Sequence, residues 1–235
     1  MNGRLFYAPL TLLFMAVLAL LVFLVVSLLF FGALQTAFIR LGFSWHDALL
    51  LLLASLIGSS INIPFKEIRS EIPVTRTAYI RVFGVNYRIP IYETVYNSTT
   101  VALNVGGAMI PILVSAYLLL VFSHALAYAA AATVIVTLAV HRIARPVPGL
   151  GIVTPALLPP LIAALSSLAV IMIAGGPREL EFVTAYVSGT LGTLIGADIL
   201  NLSRIQRLGA PVVSIGGAGT FDGVFLTGII AVLLV

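Results

Sequence analysis

Residues 6–38 run for 33 positions without one charged side chain. No other feature restricts the fold as strongly. A helix that crosses the hydrocarbon core of a bilayer needs about 20 mostly apolar residues. Backbone N–H and C=O groups find no partner in lipid except inside a helix or a closed barrel. The run is too long for the core of a secretory signal, and no small-x-small cleavage site follows it. It therefore reads as a retained, anchoring helix.

Six more apolar stretches lie downstream. The spans are expected at about 7–34, 47–63, 102–122, 125–140, 154–174, 182–202 and 217–235, with the fifth interrupted by Pro159-Pro160. Composition agrees, since 61% of residues are hydrophobic and 9% charged, against about 25% charged in soluble domains. The expected fold class is an all-α polytopic membrane protein of about seven helices, forming a single membrane domain over 1–235. The lipid bilayer is the expected partner. The net charge of +4 is no sign of nucleic-acid binding, because basic residues in such a chain mainly set orientation.

That orientation is set by where the cations fall. On the side of the N-terminus lie Arg4, Lys66, Arg69, Arg76, Arg81, Arg88, Arg142, Arg145, Arg204 and Arg207. The opposite side receives only Arg40 and Arg178, a division of 10 to 2. The positive-inside rule then predicts a multi-pass protein of the cell membrane, with a cytoplasmic N-terminus and an outside C-terminus.

One long loop departs from the helical pattern. Between the second and third spans the sequence alternates apolar and polar residues around Gly84-Val85-Asn86, which predicts a small cytoplasmic β-hairpin over 79–91 with a three-residue turn. An internal repeat is also visible. Ser55-Leu56-Ile57-Gly58-Ser59-Ser60-Ile61 aligns with Thr193-Leu194-Ile195-Gly196-Ala197-Asp198-Ile199, and the same register pairs Lys66 with Arg204 and Arg69 with Arg207. Further on, Val105-Gly106-Gly107-Ala108 aligns with Ile215-Gly216-Gly217-Ala218. The expected plan is 3+1+3. Repeat 1 covers about 7–122 with a hairpin insertion at 73–102, a linker helix covers 125–140, and repeat 2 covers about 154–235. Parallel repeats of this kind are related by an axis along the membrane normal.

The residues that most need a chemical explanation are Asp198 and Asp222, the acids placed inside expected spans. A carboxylate in hydrocarbon is costly and marks a functional position by default. Asp198 lies six residues before Arg204, roughly 9 Å along a helix. Asp222 lies five residues past Gly217, roughly 7–8 Å along the next helix. Adjacent antiparallel helices would bring the two to similar depth, where neighbouring carboxyls share a proton and one activates water. A structural role for the pair stands beside this, since Asp222 suits a helix N-terminus and Asp198 can lock two helices by hydrogen bonding. Asn201 shares the face of Asp198 three residues on, where it can orient the carboxylate or cap backbone carbonyls. Gly189, Gly192 and Gly196 form a small-residue face suited to close helix packing. Cysteine is absent, and His46, His124 and His141 show no metal-ligand spacing, so no metal or other cofactor is expected.

Gly219-Thr220-Phe221-Asp222 resembles the glycine-x-(glycine or apolar)-aspartate motif of intramembrane aspartyl proteases, the group of presenilin, signal peptide peptidase and the prepilin and preflagellin peptidases. The resemblance implies catalytic roles for Asp198 and Asp222, a transmembrane-helix or peptide substrate, and substrate contacts at Asn201, Gly219, Thr220, Phe221 and Gly223. Three features differ from the group. Asp198 follows Gly196-Ala197 instead of a tyrosine, Pro155-Ala156-Leu157 precedes the two acids instead of following them, and Phe221 stands where a second glycine is usual. Over nearly the whole chain, Asn62-Ile63-Pro64, Asn104-Val105-Gly106-Gly107-Ala108 and Ala144-Arg145-Pro146-Val147-Pro148-Gly149 resemble a prokaryotic membrane family, domain of unknown function 1614. That resemblance implies a helical membrane protein and brings no activity with it. Besides the aspartyl protease, the sequence leaves open a transporter or channel built from parallel three-helix repeats, and a non-catalytic scaffold that docks through its hairpin.

Overall fold

The structure is a computed structural model that describes residues 9–82, 85–147, 151–205, 212–217 and 223–235; for 9–10, 69–97, 151 and 205 it describes the backbone alone. It is mostly helical. The first helix, α1 (Pro9–Arg40), carries the long apolar run. The second, α2 (Trp45–Gly58), starts where the Ser44 side chain accepts from the Asp47 backbone N–H at 3.2 Å, and Asp47 places a negative charge in the first turn. Both features satisfy the unpaired donors and the positive end of the helix.

Strands β1 (Asn62–Val82) and β2 (Val85–Asn104) come next as one antiparallel hairpin. This hairpin is longer than the expected 79–91 segment. Pairing begins at Asn62↔Asn104 and closes at Val82↔Val85, so Val85 and Asn86 are strand residues and not part of the turn. The second helix therefore ends at Gly58, short of residue 63, and the third starts after Asn104. The register shifts between Pro64 and Lys66, where proline has no N–H to give to the ladder.

Asn104 then begins the third helical run. Its side-chain Oδ1 accepts from the Gly107 N–H at 2.7 Å and caps a π-helical turn, Val105–Met109, which leads into α3 (Ile110–Val121). A single 3-10 turn joins α3 to α4 (Leu126–Ile143). A short hairpin, β3 (Arg145–Val147) with β4 (Gly151–Val153), precedes α5 (Leu158–Ala174). Pro159 and Pro160 do not interrupt this helix. They stand in its first turn, where the missing N–H has no intrahelical partner to lose.

The next helical run begins at Arg178. It passes through α6 (Glu181–Thr193), a second π-turn (Leu194–Asp198), a 3-10 turn (Ile199–Asn201) and the single turn α7 (Leu202–Ile205). Strand β5 (Val212–Ile215) and helix α8 (Gly223–Leu234) complete the fold. β5 pairs with β2 in parallel, Thr100 opposite Val212 and Leu103 opposite Ile215, which gives a three-stranded sheet in the order β1-β2-β5.

Helix α6 is the axis of the bundle, packed by α4, α5, α8 and α3. Its glycines permit close approach on more than one face. A Cβ on Gly189 would lie 3.2 Å from the Gly228 Cα of α8, one on Gly192 would lie 2.7 Å from the Val136 side chain, and one on Gly196 would lie 2.6 Å from the Thr137 carbonyl of α4. Phe38, Leu118, Ile171, Tyr186, Phe225 and Ile229 fill the main core. Only the last two turns of α1 join it, through Leu34, Ala37 and Phe38. At that end Arg40 donates from Nη1 to the Val232 carbonyl at 3.1 Å and lies over the Phe182 ring, 5.5 Å from its centre. A cation is thus seated on the last carbonyls of α8, the negative end of that helix.

Candidate functional site

The π-turn Leu194–Asp198 fixes the position of Asp198. A π-turn adds one residue to an α-helix and turns the downstream side chains to new directions, which is why such turns recur at functional sites. Asp198 is half-buried, and its Oδ2 accepts from the Gly216 backbone N–H at 3.2 Å. Gly216 and Gly217 come directly after β5 at φ +79° and +81°, a backbone state that glycine adopts without steric penalty. A Cβ at Gly216 would also lie 2.5 Å from the Ala108 Cβ. The end of β5 thus reaches both the acid of α6 and the π-turn before α3.

An apolar cluster includes Leu194 of the π-turn and Ile215 of β5. Val101 of β2, Ala108, Leu194, Ile215 and Val224 are buried together, with Leu103, Ile112 and Leu202 packed against them. These residues come from both expected repeat copies. Ile112, the counterpart of Asp222 in the alignment, belongs to this apolar cluster, whereas Ser60, the counterpart of Asp198, is exposed.

Asn201 is fully buried and braces the π-turn. Its Nδ2 donates to the Gly196 carbonyl at 3.0 Å and to the Ala197 carbonyl at 2.9 Å. Both amide hydrogens are used in this way, so Asn201 caps carbonyls at the turn that carries the acid. His141 of α4 completes the brace, with Nδ1 3.3 Å from the Gly196 carbonyl and 3.3 Å from Asn201 Nδ2. Among the described residues, Asn201 Oδ1 has no hydrogen-bond partner. The sequence singles out Asn201 but not His141, because the packing of α4 on α6 across 60 residues leaves no local signal.

A second buried asparagine stands at the junction of α2, β1 and α3. Asn104 is fully buried, donates to the Ser59 carbonyl at 2.7 Å, and contacts Asn62 Oδ1, which also accepts from the Ser214 hydroxyl of β5. A Cβ on Gly106 would collide with the Ser55 carbonyl and the Ser59 nitrogen. The end of α2 and the start of α3 are thus pressed together at the level of the backbone.

Of the other expected site residues, Gly223 is exposed as the first residue of α8, and among the described residues nothing lies within 4 Å of where its Cβ would stand. Gly219, Thr220, Phe221 and Asp222 lie outside the described residues. Among the described residues, Asp198 is the acid at this end of the bundle that is brought against the turn after β5.

These elements define a class: a mostly helical protein with three helices long and apolar enough to cross a membrane, 11–40, 123–143 and 178–204, and four shorter apolar helices. That is consistent with a membrane protein. More narrowly, the chain belongs to the DUF1614 family of proteins of unknown function, whose family model matches residues 56–234. The match takes in every element of the site, from the end of α2 to α8. No curated protein and no solved structure matches the chain.

Proposed function

We propose that this protein is an intramembrane aspartyl protease in which Asp198 and Asp222 form the catalytic pair. The observation that carries the reading is the bond from the Gly216 N–H to Asp198 Oδ2. It ties the acid of α6 to the turn after β5, six residues before Asp222. In the reaction, one carboxylate takes a proton from water and the water oxygen attacks the scissile carbonyl carbon. The protonated partner polarises the carbonyl oxygen, and the C–N bond breaks as the amine receives a proton.

The sheet suits such a substrate. A helix in lipid must unwind before its peptide bonds are accessible, and an unwound segment needs partners for its backbone. β5 is the outer strand in the order β1-β2-β5, with Val212 exposed, and a peptide added along it would lie next to the Asp198 turn.

Seven spans in a 3+1+3 parallel plan, with a cytoplasmic N-terminus and an outside C-terminus, form the scaffold of this reading. The parallel pairing of β2 with β5 supports it, since each strand leads into the third helix of its copy and two copies of one orientation require that direction. Gly106 and Gly216, equivalent in the repeat, are both points of close backbone approach.

The test is cleavage of a quenched fluorescent transmembrane peptide by the purified full chain in vesicles. Wild type should cleave it, a peptide carrying a transition-state hydroxyl should inhibit, and Asp198→Asn and Asp222→Asn should each abolish turnover with unchanged melting. Undiminished cleavage in either variant removes the pair from the chemistry. Solute flux across the vesicles without cleavage would favour a transporter.

A further inference from the structure

A second site lies on the opposite flank of the π-turn brace, on the outer surface between α4 and α5. Ile135, Leu138, Ala139 and Ile143 of α4, with Ile162 of α5, line a groove of about 710 Å³ that also takes in His141 and Arg142. That volume is in the range of small-molecule sites. Its walls are apolar along their length, and Leu138 is 62% exposed. Its polar groups gather at one end, where α4 finishes.

Arg142 makes that end cationic, and no acid lines the groove among the described residues. Arg142 makes no hydrogen bond or ion pair among the described residues. His141 lies beside it, with Nδ1 3.3 Å from the Gly196 carbonyl. An apolar trough that ends in a guanidinium with no partner among the described residues is complementary to an amphiphile with an anionic head. Guanidinium binds a phosphate through paired, charge-assisted hydrogen bonds, and basic pockets between membrane helices take anionic lipid head groups on this chemistry.

We propose that the α4–α5 groove is a binding site for an anionic phospholipid, with its phosphate on Arg142 at the end of α4 and an acyl chain along Ile135, Leu138 and Ile162. The site is separate from the Asp198 chemistry and stands whether or not the chain is a protease. It touches the π-turn through one residue, His141, which both lines the groove and contacts Gly196.

The experiment is native mass spectrometry of the detergent-solubilised full chain, titrated with phosphatidylglycerol, with phosphatidylcholine and with inorganic phosphate. Phosphatidylglycerol should be retained at least tenfold more tightly than phosphatidylcholine, and inorganic phosphate should neither bind comparably nor displace it. Arg142→Gln should weaken phosphatidylglycerol binding about tenfold, and Arg142→Lys should restore part of it. Ala139→Phe, which fills the groove and keeps both polar groups, should weaken binding by a similar factor. Equal retention of the two lipids, wild-type binding by Arg142→Gln or by Ala139→Phe, or full competition by inorganic phosphate would each overturn the assignment. Arg142 is exposed, so its variants should melt as wild type does.

Discussion

The backbone N–H of Gly216 meets the carboxylate of Asp198 at 3.2 Å across 18 residues of sequence. One residue directly follows β5 and the other ends the π-turn after α6. Their contact closes the whole α6–β5 connection onto itself, so the geometry around the acid depends on a glycine that carries no chemistry.

Gly216→Ala should therefore be damaging twice over. The new Cβ would stand 2.5 Å from the Ala108 Cβ, at a residue with φ +79°. Left-handed strain and overpacking together cost about 2–4 kcal/mol, and any activity that needs Asp198 should fall with them. Gly223→Ala is the control, because among the described residues nothing lies within 4 Å of the added methyl. Denaturation of both variants in the same detergent measures the difference, and equal stabilities would contradict the close approach of Gly216 to Ala108.

Asn201 makes a prediction with a sign. Asn201→Leu leaves the Gly196 and Ala197 carbonyls without their donor and should lose about 1–3 kcal/mol, the usual cost of an unsatisfied buried group. Asn201→Asp should be worse, because it turns a carboxylate toward two carbonyl oxygens in a buried site. Melting of the two variants tests the order. An aspartate variant more stable than the leucine variant would mean that the brace is not built from amide donors.

The β2–β5 pairing can be tested directly, since the chain has no cysteine. Ala102 and Ser214 are partners in the parallel ladder, and adjacent strands lie about 4.8 Å apart. Ala102→Cys with Ser214→Cys should form a disulfide under mild oxidant, as its Cα spacing requires. Thr100→Cys with Ile215→Cys, three steps out of register, should not. Non-reducing gel mobility after proteolysis between the strands reads both, and cross-linking of the second pair instead of the first would refute the register.

The helical character of the chain is legible in the sequence because it rests on a local property, the apolar run, although only three of the helices are long and apolar enough to cross a membrane. Pro159-Pro160 reads as an interruption because proline inside a helix and proline at its first turn look alike until the helix start is known. The hairpin reads too short for a related reason. Ile63 and Ala102 are as apolar as any span residue, and the pairing that takes them into strands, Ile63 with Leu103 and Pro64 with Ala102, leaves no periodic mark. At the site, Asp198 and Asn201 stand out by residue type in an apolar setting. His141 does not, and neither do the π-turns, since Leu194-Ile195-Gly196-Ala197 reads as ordinary helix and becomes a π-turn only under the packing of α4 and β5.

That turn makes chain length a variable of the site. Each residue of an α-helix rotates the next side chain by about 100°, so one surplus residue within Leu194–Asp198 redirects every side chain beyond it. Deleting Ile195 alone would remove no polar group and no charge, yet it would swing the carboxylate about a quarter turn around the helix axis, away from Gly216. Spacing in this stretch is therefore as much a determinant of the site as the aspartate itself, and a relative one residue shorter here would carry the same acid on another face.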